Sequence, residues 1–220
     1  MRPSTPSHLT TLPRKTDDWF RRANATLLSQ VPCHAGCSRC CVGVFPITRF
    51  DVRLLQEGLA NLPEDQRNQI AARAAQQITE ITIAYPRLQT SASLDGWSDQ
   101  DIDSVVTAFH DTPCPALSES GLCSLYAHRP LTCRSMGIPM REGPMVTGAC
   151  EVQTSVPIVR LSSALVAEEQ ALAVLESVAL AALPETATEG EEVLLPYGFI
   201  PDGNERKAND VPADRREKDR

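Results

Sequence analysis

The stretch Cys33-His34-Ala35-Gly36-Cys37-Ser38-Arg39-Cys40-Cys41 decides how this chain is read. Four of its nine residues are cysteine, and Cys114, Cys123, Cys133 and Cys150 bring the total to eight in 220 residues. That density lies below the ~8–10% of a disulfide scaffold. Residues 1–16 are polar and Pro-rich and lack the roughly 7–15-residue apolar stretch of a secretory signal. A cytosolic (cytoplasmic) protein with reduced thiols is therefore expected. Buried inert thiols would be scattered singly, whereas clustered thiols are better explained by a metal.

The spacing restricts how a metal could be held. On one regular helix Cys33 and Cys41 would stand ~12 Å apart along the axis. A tetrahedral zinc, with Zn–S bonds of ~2.3 Å, needs its sulfurs ~3.8 Å from one another. Either the segment is irregular, as Pro32 and Gly36 permit, or its thiolates serve a larger cluster or two metals. The vicinal pair adds a second constraint. Neighbouring side chains diverge by ~100° on a helix and oppose each other on a strand. Cys40 and Cys41 are thus expected to serve different centres, or one of them none. Cys40 would complete the Cys33-Cys37-Cys40 set, and Cys41 would face the Cys114–Cys150 region.

The second region reads Cys114-Pro115-(x7)-Cys123-x-x-Tyr126-x-x-Arg129-Pro130-x-x-Cys133-Arg134, with Cys150 trailing. Four thiolates around Zn²⁺ leave two uncompensated negative charges. Arg39, Arg129 and Arg134 stand beside cysteines in sequence and could offset them or donate to sulfur. His34, His110 and His128 are further possible ligands.

Taken together, Cys33-x3-Cys37-x2-Cys40-Cys41 and Cys114-Pro115…Gly121-x-Cys123-x-x-Tyr126-x-x-Arg129-Pro130-x-x-Cys133-Arg134 resemble the CxxCxxCC family of zinc- or iron-chelating proteins, the YkgJ-like cysteine-cluster proteins. The resemblance spans about residues 33–150 and implies metal binding through these cysteines. A flagellin lysine N-methylase carries the same cluster in a much larger protein, so its activity does not follow from the cluster alone.

Other patterns lead nowhere. Cys33-x3-Cys37-x2-Cys40 matches the radical-SAM spacing, but the strand–helix units of a barrel are missing. Asp99-x-Asp101-x-Asp103 opens like a calcium loop, yet Ser104 and His110 replace its glycine and glutamate, so an acidic helix start is expected. The C-x2-C-x2-C-x3-C-Pro run of two-cluster ferredoxins is absent. A net charge of −7 argues against a nucleic-acid surface, and no apolar run approaches the ~18–20 residues of a membrane span.

Outside the cysteines the chain reads as helical. Residues 1–16 are expected to be a disordered lead-in. Asp17–Gln30 should form a helix with Phe20, Ala23 and Leu27 on one face. Thr48 is a natural N-cap for a helix to about Ala60, with Asp51 at its third position. A longer helix should start at Pro63, bury Ile70, Ala74, Ile78, Ile81 and Tyr85, and stop at Pro86. Ser98 or Asp99 should cap another. Ser118-Glu119-Ser120-Gly121 between Leu117 and Leu122 is hairpin-turn material. A helix over about 162–183 should bury Ala167, Ala171, Val174, Leu175, Val178 and Ala182, with Ser162, Glu169, Glu176 and Ser177 opposite. Residues 203–220 are mostly charged and read as a disordered tail.

The fold expected is mainly α with small irregular or β-hairpin elements, a single metal-stapled domain over 17–200 with its motif core at 33–150. The metal ligands expected are Cys33, Cys37, Cys40, Cys41, Cys114, Cys123, Cys133 and Cys150. The uneven spacing and the vicinal pair favour an iron–sulfur cluster over zinc. The partner expected is the metal ion or cluster, not nucleic acid or membrane. No nucleophile–base pair, phosphate loop or dinucleotide fingerprint is visible. A cluster-dependent enzyme for methyl transfer or redox chemistry, a thiol-based metal buffer or chaperone, and a structural zinc module are the rival readings.

Overall fold

The computed structural model describes residues 7–26, 36–138, 140–142, 145–147, 161–183 and 190–200. Cys33, His34 and Cys150, and the tail from 203, lie outside the described residues.

Helix α2 (Arg49–Ala60) stands at the centre. Thr48 caps it as expected, its Oγ1 accepting from Asp51 N at 3.3 Å. Phe50, Asp51, Leu54, Leu55, Gly58 and Leu59 are all buried, so the helix packs over more than one narrow stripe. Strand β1 (Pro46–Thr48) enters α2 and pairs antiparallel with β4 (Glu192–Leu194), Ile47 opposite Val193. The turn Leu195–Phe199 then packs on α2, and Gln56 Nε2 donates to the Gly198 and Ile200 carbonyls. No sequence pattern pointed to this pairing, because three residues on each side are too few to show alternation.

Helix α3 (Glu64–Ala84) starts after Pro63 and buries Ile70, Ala74 and Ile81, while Tyr85 and Pro86 end it. A single turn, α4 (Arg87–Thr90), leads to α5 (Asp99–Ala108), whose Ser98 cap accepts from Asp101 N at 3.2 Å. Asp99 and Asp101 thus occupy a first helical turn, where acid suits the dipole. The short α6 (Leu131–Ser135) is followed by a two-stranded ladder, β2 (Met140–Glu142) with β3 (Met145–Thr147). Seven helices and two minimal antiparallel ladders make a mainly α single domain among the described residues. No helix there is long and apolar enough to cross a membrane.

Two expectations about helices need correction. Helix α1 runs Ser7–Thr26, so part of the supposed lead-in is structured, despite Pro13 within it. Leu12, Thr16, Trp19 and Ala23 form its buried face, at spacings of four, three and four. Trp19, not Phe20, is the core aromatic, and its Nε1 donates to the Leu165 carbonyl at 2.9 Å.

Helix α7 (Ser163–Ala181) forms where expected, with Ser162 as its N-cap instead of a residue of its polar face, but it is turned the other way. Val174 and Val178 are 63% and 62% exposed, and Ala167, Ala171, Leu175 and Ala182 are exposed with them. Leu165 and Ala179 are buried instead, with Leu172, Leu180 and Leu183 packed beside α1 and α2. The helix is apolar on nearly every side, so periodicity could not choose the inner face. The polar partners did. Glu176 accepts from Thr48 Oγ1 at 3.0 Å, and Glu168 pairs with Arg22 of α1.

Candidate metal centre

The cysteine segments are held together by backbone before any metal is considered. Residues 39–41 form one 3₁₀ turn, closed by Cys41 N donating to Ser38 O at 2.9 Å. The chain then lies against residues 112–114: Gly43 N donates to Thr112 O and Cys114 N to Cys41 O, both at 2.7 Å. Gly43 has φ +109°, and a Cβ there would sit 3.2 Å from the His110 carbonyl oxygen, so the approach requires glycine.

From Cys114 the chain doubles back. Ser118 N donates to Leu122 O, Gly121 N to Ser118 O and Ser124 N to Ala116 O, each at 2.9 Å. The turn expected between Leu117 and Leu122 is therefore present, and it returns Cys123 to the side of Cys114. The next stretch, 126–135, carries Cys133 on α6.

Arginine organises this last stretch. Arg134, almost fully buried, donates through Nε to Arg129 O at 3.0 Å, through Nη2 to Ala127 O at 2.6 Å and through Nη1 to Asp17 of α1. Arg129 donates to the other Asp17 oxygen at 2.9 Å and lies 3.9 Å over the Tyr126 ring. Arg134 thus braces the loop by carbonyls and a carboxylate. Arg39 is exposed and does not reach the cysteines' cavity.

Cys37, Cys40, Cys41, Cys114, Cys123 and Cys133 all line one cavity of about 550 Å³. Phe45, Leu55, Leu195 and Phe199 supply apolar wall, and Asp17, Tyr126, Arg129 and Arg134 supply a polar one. Cys40 and Cys41 therefore line the same cavity. A 3₁₀ turn at the cavity's edge lets both reach it. Cys41 lies beside Cys114, which also neighbours Cys123 and Cys133. Neither His110 nor His128 lines the cavity. His110 is exposed beside Asp111, and the His128 ring packs where α2 has Gly58, whose absent side chain makes the room.

The thiols perturb one another. The Cys41 S–H donates to Cys40 sulfur, which brings the Cys40 thiol down to about 7 against the opposing effect of burial, with Arg129 assisting. Cys41 is pushed far up for the converse reason, and by its burial near Cys114 and Cys123. Burial lifts Cys114 to about 12, raises Cys123, and raises Cys133 well above the ordinary range. Four half-buried thiols that resist ionisation beside one that ionises more readily suit a cation: a bound metal supplies the positive charge that favours the thiolates. An all-sulfur donor set selects soft or borderline ions such as zinc and iron. Among the described residues, no three Cys, His, Asp or Glu side chains converge closely enough to hold one ion. The donors fit such a metal by chemistry and surround a space instead of a point.

Two residues of this site went unrecognised in the sequence. Asp17 read only as the start of a helix, yet it receives both arginines from more than a hundred residues away. Asp51 read as part of the α2 cap. Its carboxyl is fully buried and lifted to about 7, mainly by burial, and its Oδ1 accepts from Leu131 N at 2.7 Å. Neither role leaves a local signature.

No curated protein and no solved structure matches the chain. A family model described as "CxxCxxCC: Putative zinc- or iron-chelating domain" matches residues 32–151, the interval that contains all eight cysteines and the cavity's thiol wall. The chain belongs to the CxxCxxCC family.

Proposed function

We propose that this protein carries an iron–sulfur cluster in the thiol-lined cavity and works in the cytosol, where its cysteines stay reduced. One observation carries the reading: six cysteines surround about 550 Å³ with no three of them converging on a single ion position. A lone zinc needs four donors drawn to ~2.3 Å of one point, whereas a cluster of several atoms is met by thiolates standing further apart. When bound, such a cluster would supply electron transfer or Lewis acidity at iron. Four of the cavity's cysteines, drawn from Cys37, Cys40, Cys41, Cys114, Cys123 and Cys133, would hold it, and Arg129 would offset its charge.

Anaerobic purification followed by metal and acid-labile sulfide analysis tests the reading. The expected sample is brown, with broad absorbance near ~400 nm and iron matched by sulfide. A colourless protein with one or two zinc and no iron replaces the cluster with structural zinc.

A further inference from the structure

Asp51 is the third residue of α2, a position from which an acid normally reaches back to the N-cap at the helix surface. Here the side chain is fully buried. Its Oδ1 accepts from Leu131 N at 2.7 Å, and its Oδ2 has no partner among the described residues. Burying a carboxyl with one oxygen unsatisfied costs stability that an apolar residue of similar size would not. What the carboxyl supplies in return is an anchor.

Leu131 is the first residue of α6, and its N–H has no acceptor within that helix. Pro130, just before it, has no N–H at all. A helix of five residues cannot hold itself in water, so its position depends on outside partners. At its far end Arg134 is tied to Ala127, Arg129 and Asp17. At its start the hydrogen bond is to Asp51. Between the two anchors lies Cys133, in the wall of the thiol cavity.

We propose that Asp51 is a positioning residue for the metal centre: through the Leu131 N–H it fixes the start of α6 and so holds Cys133 at the cavity. The proposal rests on the metal-chelating reading of that cavity. It predicts that the acceptor atom, not the negative charge, is what matters, and that the effect passes through Cys133.

The test is Zn²⁺ competition against a chromophoric chelator, using metal-free full-length protein and following the fold by circular dichroism. Asp51→Ala and Asp51→Ser should each weaken zinc binding ~10-fold or more, the range seen when a ligand loses its supporting hydrogen bond. Asp51→Ser keeps the site polar while shortening the side chain, so it carries the decision if the alanine variant unfolds. Asp51→Asn keeps an acceptor oxygen and should stay within ~3-fold of wild type. In a Cys133→Ser background, Asp51→Ser should add less than ~2-fold, as for two residues acting on one step. Wild-type protein that takes up neither zinc nor, on anaerobic reconstitution, iron would sink the metal reading, and this proposal with it; if iron alone is taken up, the same variants are compared by iron content. Zinc-binding wild type with Asp51→Ser equally tight overturns the proposal alone. So does an equal loss in the Cys133→Ser background, or unfolding of both the alanine and serine variants, since Asp51 would then serve the whole core.

Discussion

Cys40 and Cys41 differ by one position and by their protons. The hydrogen bond from Cys41 lowers Cys40 from the ordinary thiol value, so Cys40 is the member of the pair that ionises first in the metal-free protein. Iodoacetamide at pH 7 should label Cys40 before the other described cysteines. Cys41→Ala removes that donor and should slow Cys40 labelling by ~10-fold or more, as its value returns toward an ordinary thiol. Peptide mass spectrometry over time measures this, and unchanged labelling would remove the hydrogen bond from the account. Metal stoichiometry of Cys40→Ala and Cys41→Ala then tests the split inferred from the vicinal spacing. With one cluster in the cavity, one change is expected to abolish metal binding while the other is mild, since four thiolates complete a cluster; equal complete loss with the fold retained would make both cysteines ligands of one bridged centre. Asp51 offers a second titration. Its folded value is raised from 3.8 to about 7, so burial favours the neutral acid. The stability this group contributes is full below pH ~4 and is lost as pH rises through ~7. Asp51→Asn lacks that loss. Urea unfolding at pH 4, 6 and 8 should therefore show the variant gaining on wild type as pH rises, by about 4 kcal/mol at most.

At the scale of elements, α7 separates periodicity from packing. Its best apolar stripe faces outward, and its inner face carries Glu176. Substituting Val174 or Val178 with Ser should change stability by no more than ~0.5 kcal/mol, because an exposed methyl has little burial to lose. Trp19→Ala should cost about 3–5 kcal/mol, since Trp19 is 0% exposed and its indole N–H is bonded to α7. Thermal melts of the three variants decide between the two faces. A valine variant that falls as far as the tryptophan variant would mean that α7 buries its outer stripe after all.

At the scale of the molecule, the described residues form four buried clusters, distributed around α2, between α1 and α7, and between α3 and α5. The cysteine-bearing stretch from Pro113 to Ser135 contributes only Ala116, Leu125 and Leu131 to them among its buried apolar residues. Its order must come largely from backbone bonds, the Asp17–arginine network and a metal. Chelation should therefore expose 113–135 to proteolysis while α1 and α7 stay protected. Limited digestion with mass-spectrometric mapping reads this out, and an unchanged map for the metal-free protein would show that the scaffold needs no metal.

What the sequence determined by itself is what its neighbours in the chain enforce. Thr48, Ser98 and Ser162 cap helices because their hydroxyls meet amides three residues on, and Pro63 and Pro86 bound α3 through their own rings. The clustered thiols announced metal chemistry by count and spacing. Tertiary structure alone decided which face of α7 is inside, how far α1 extends, and that β1 finds β4. It also turned Asp17 and Asp51 into supports for the cysteine loop. Each of these depends on partners 80 to 148 residues away in the chain. Such a preference is invisible locally, because a charged side chain costs little on a surface and goes inside only where a distant partner compensates it.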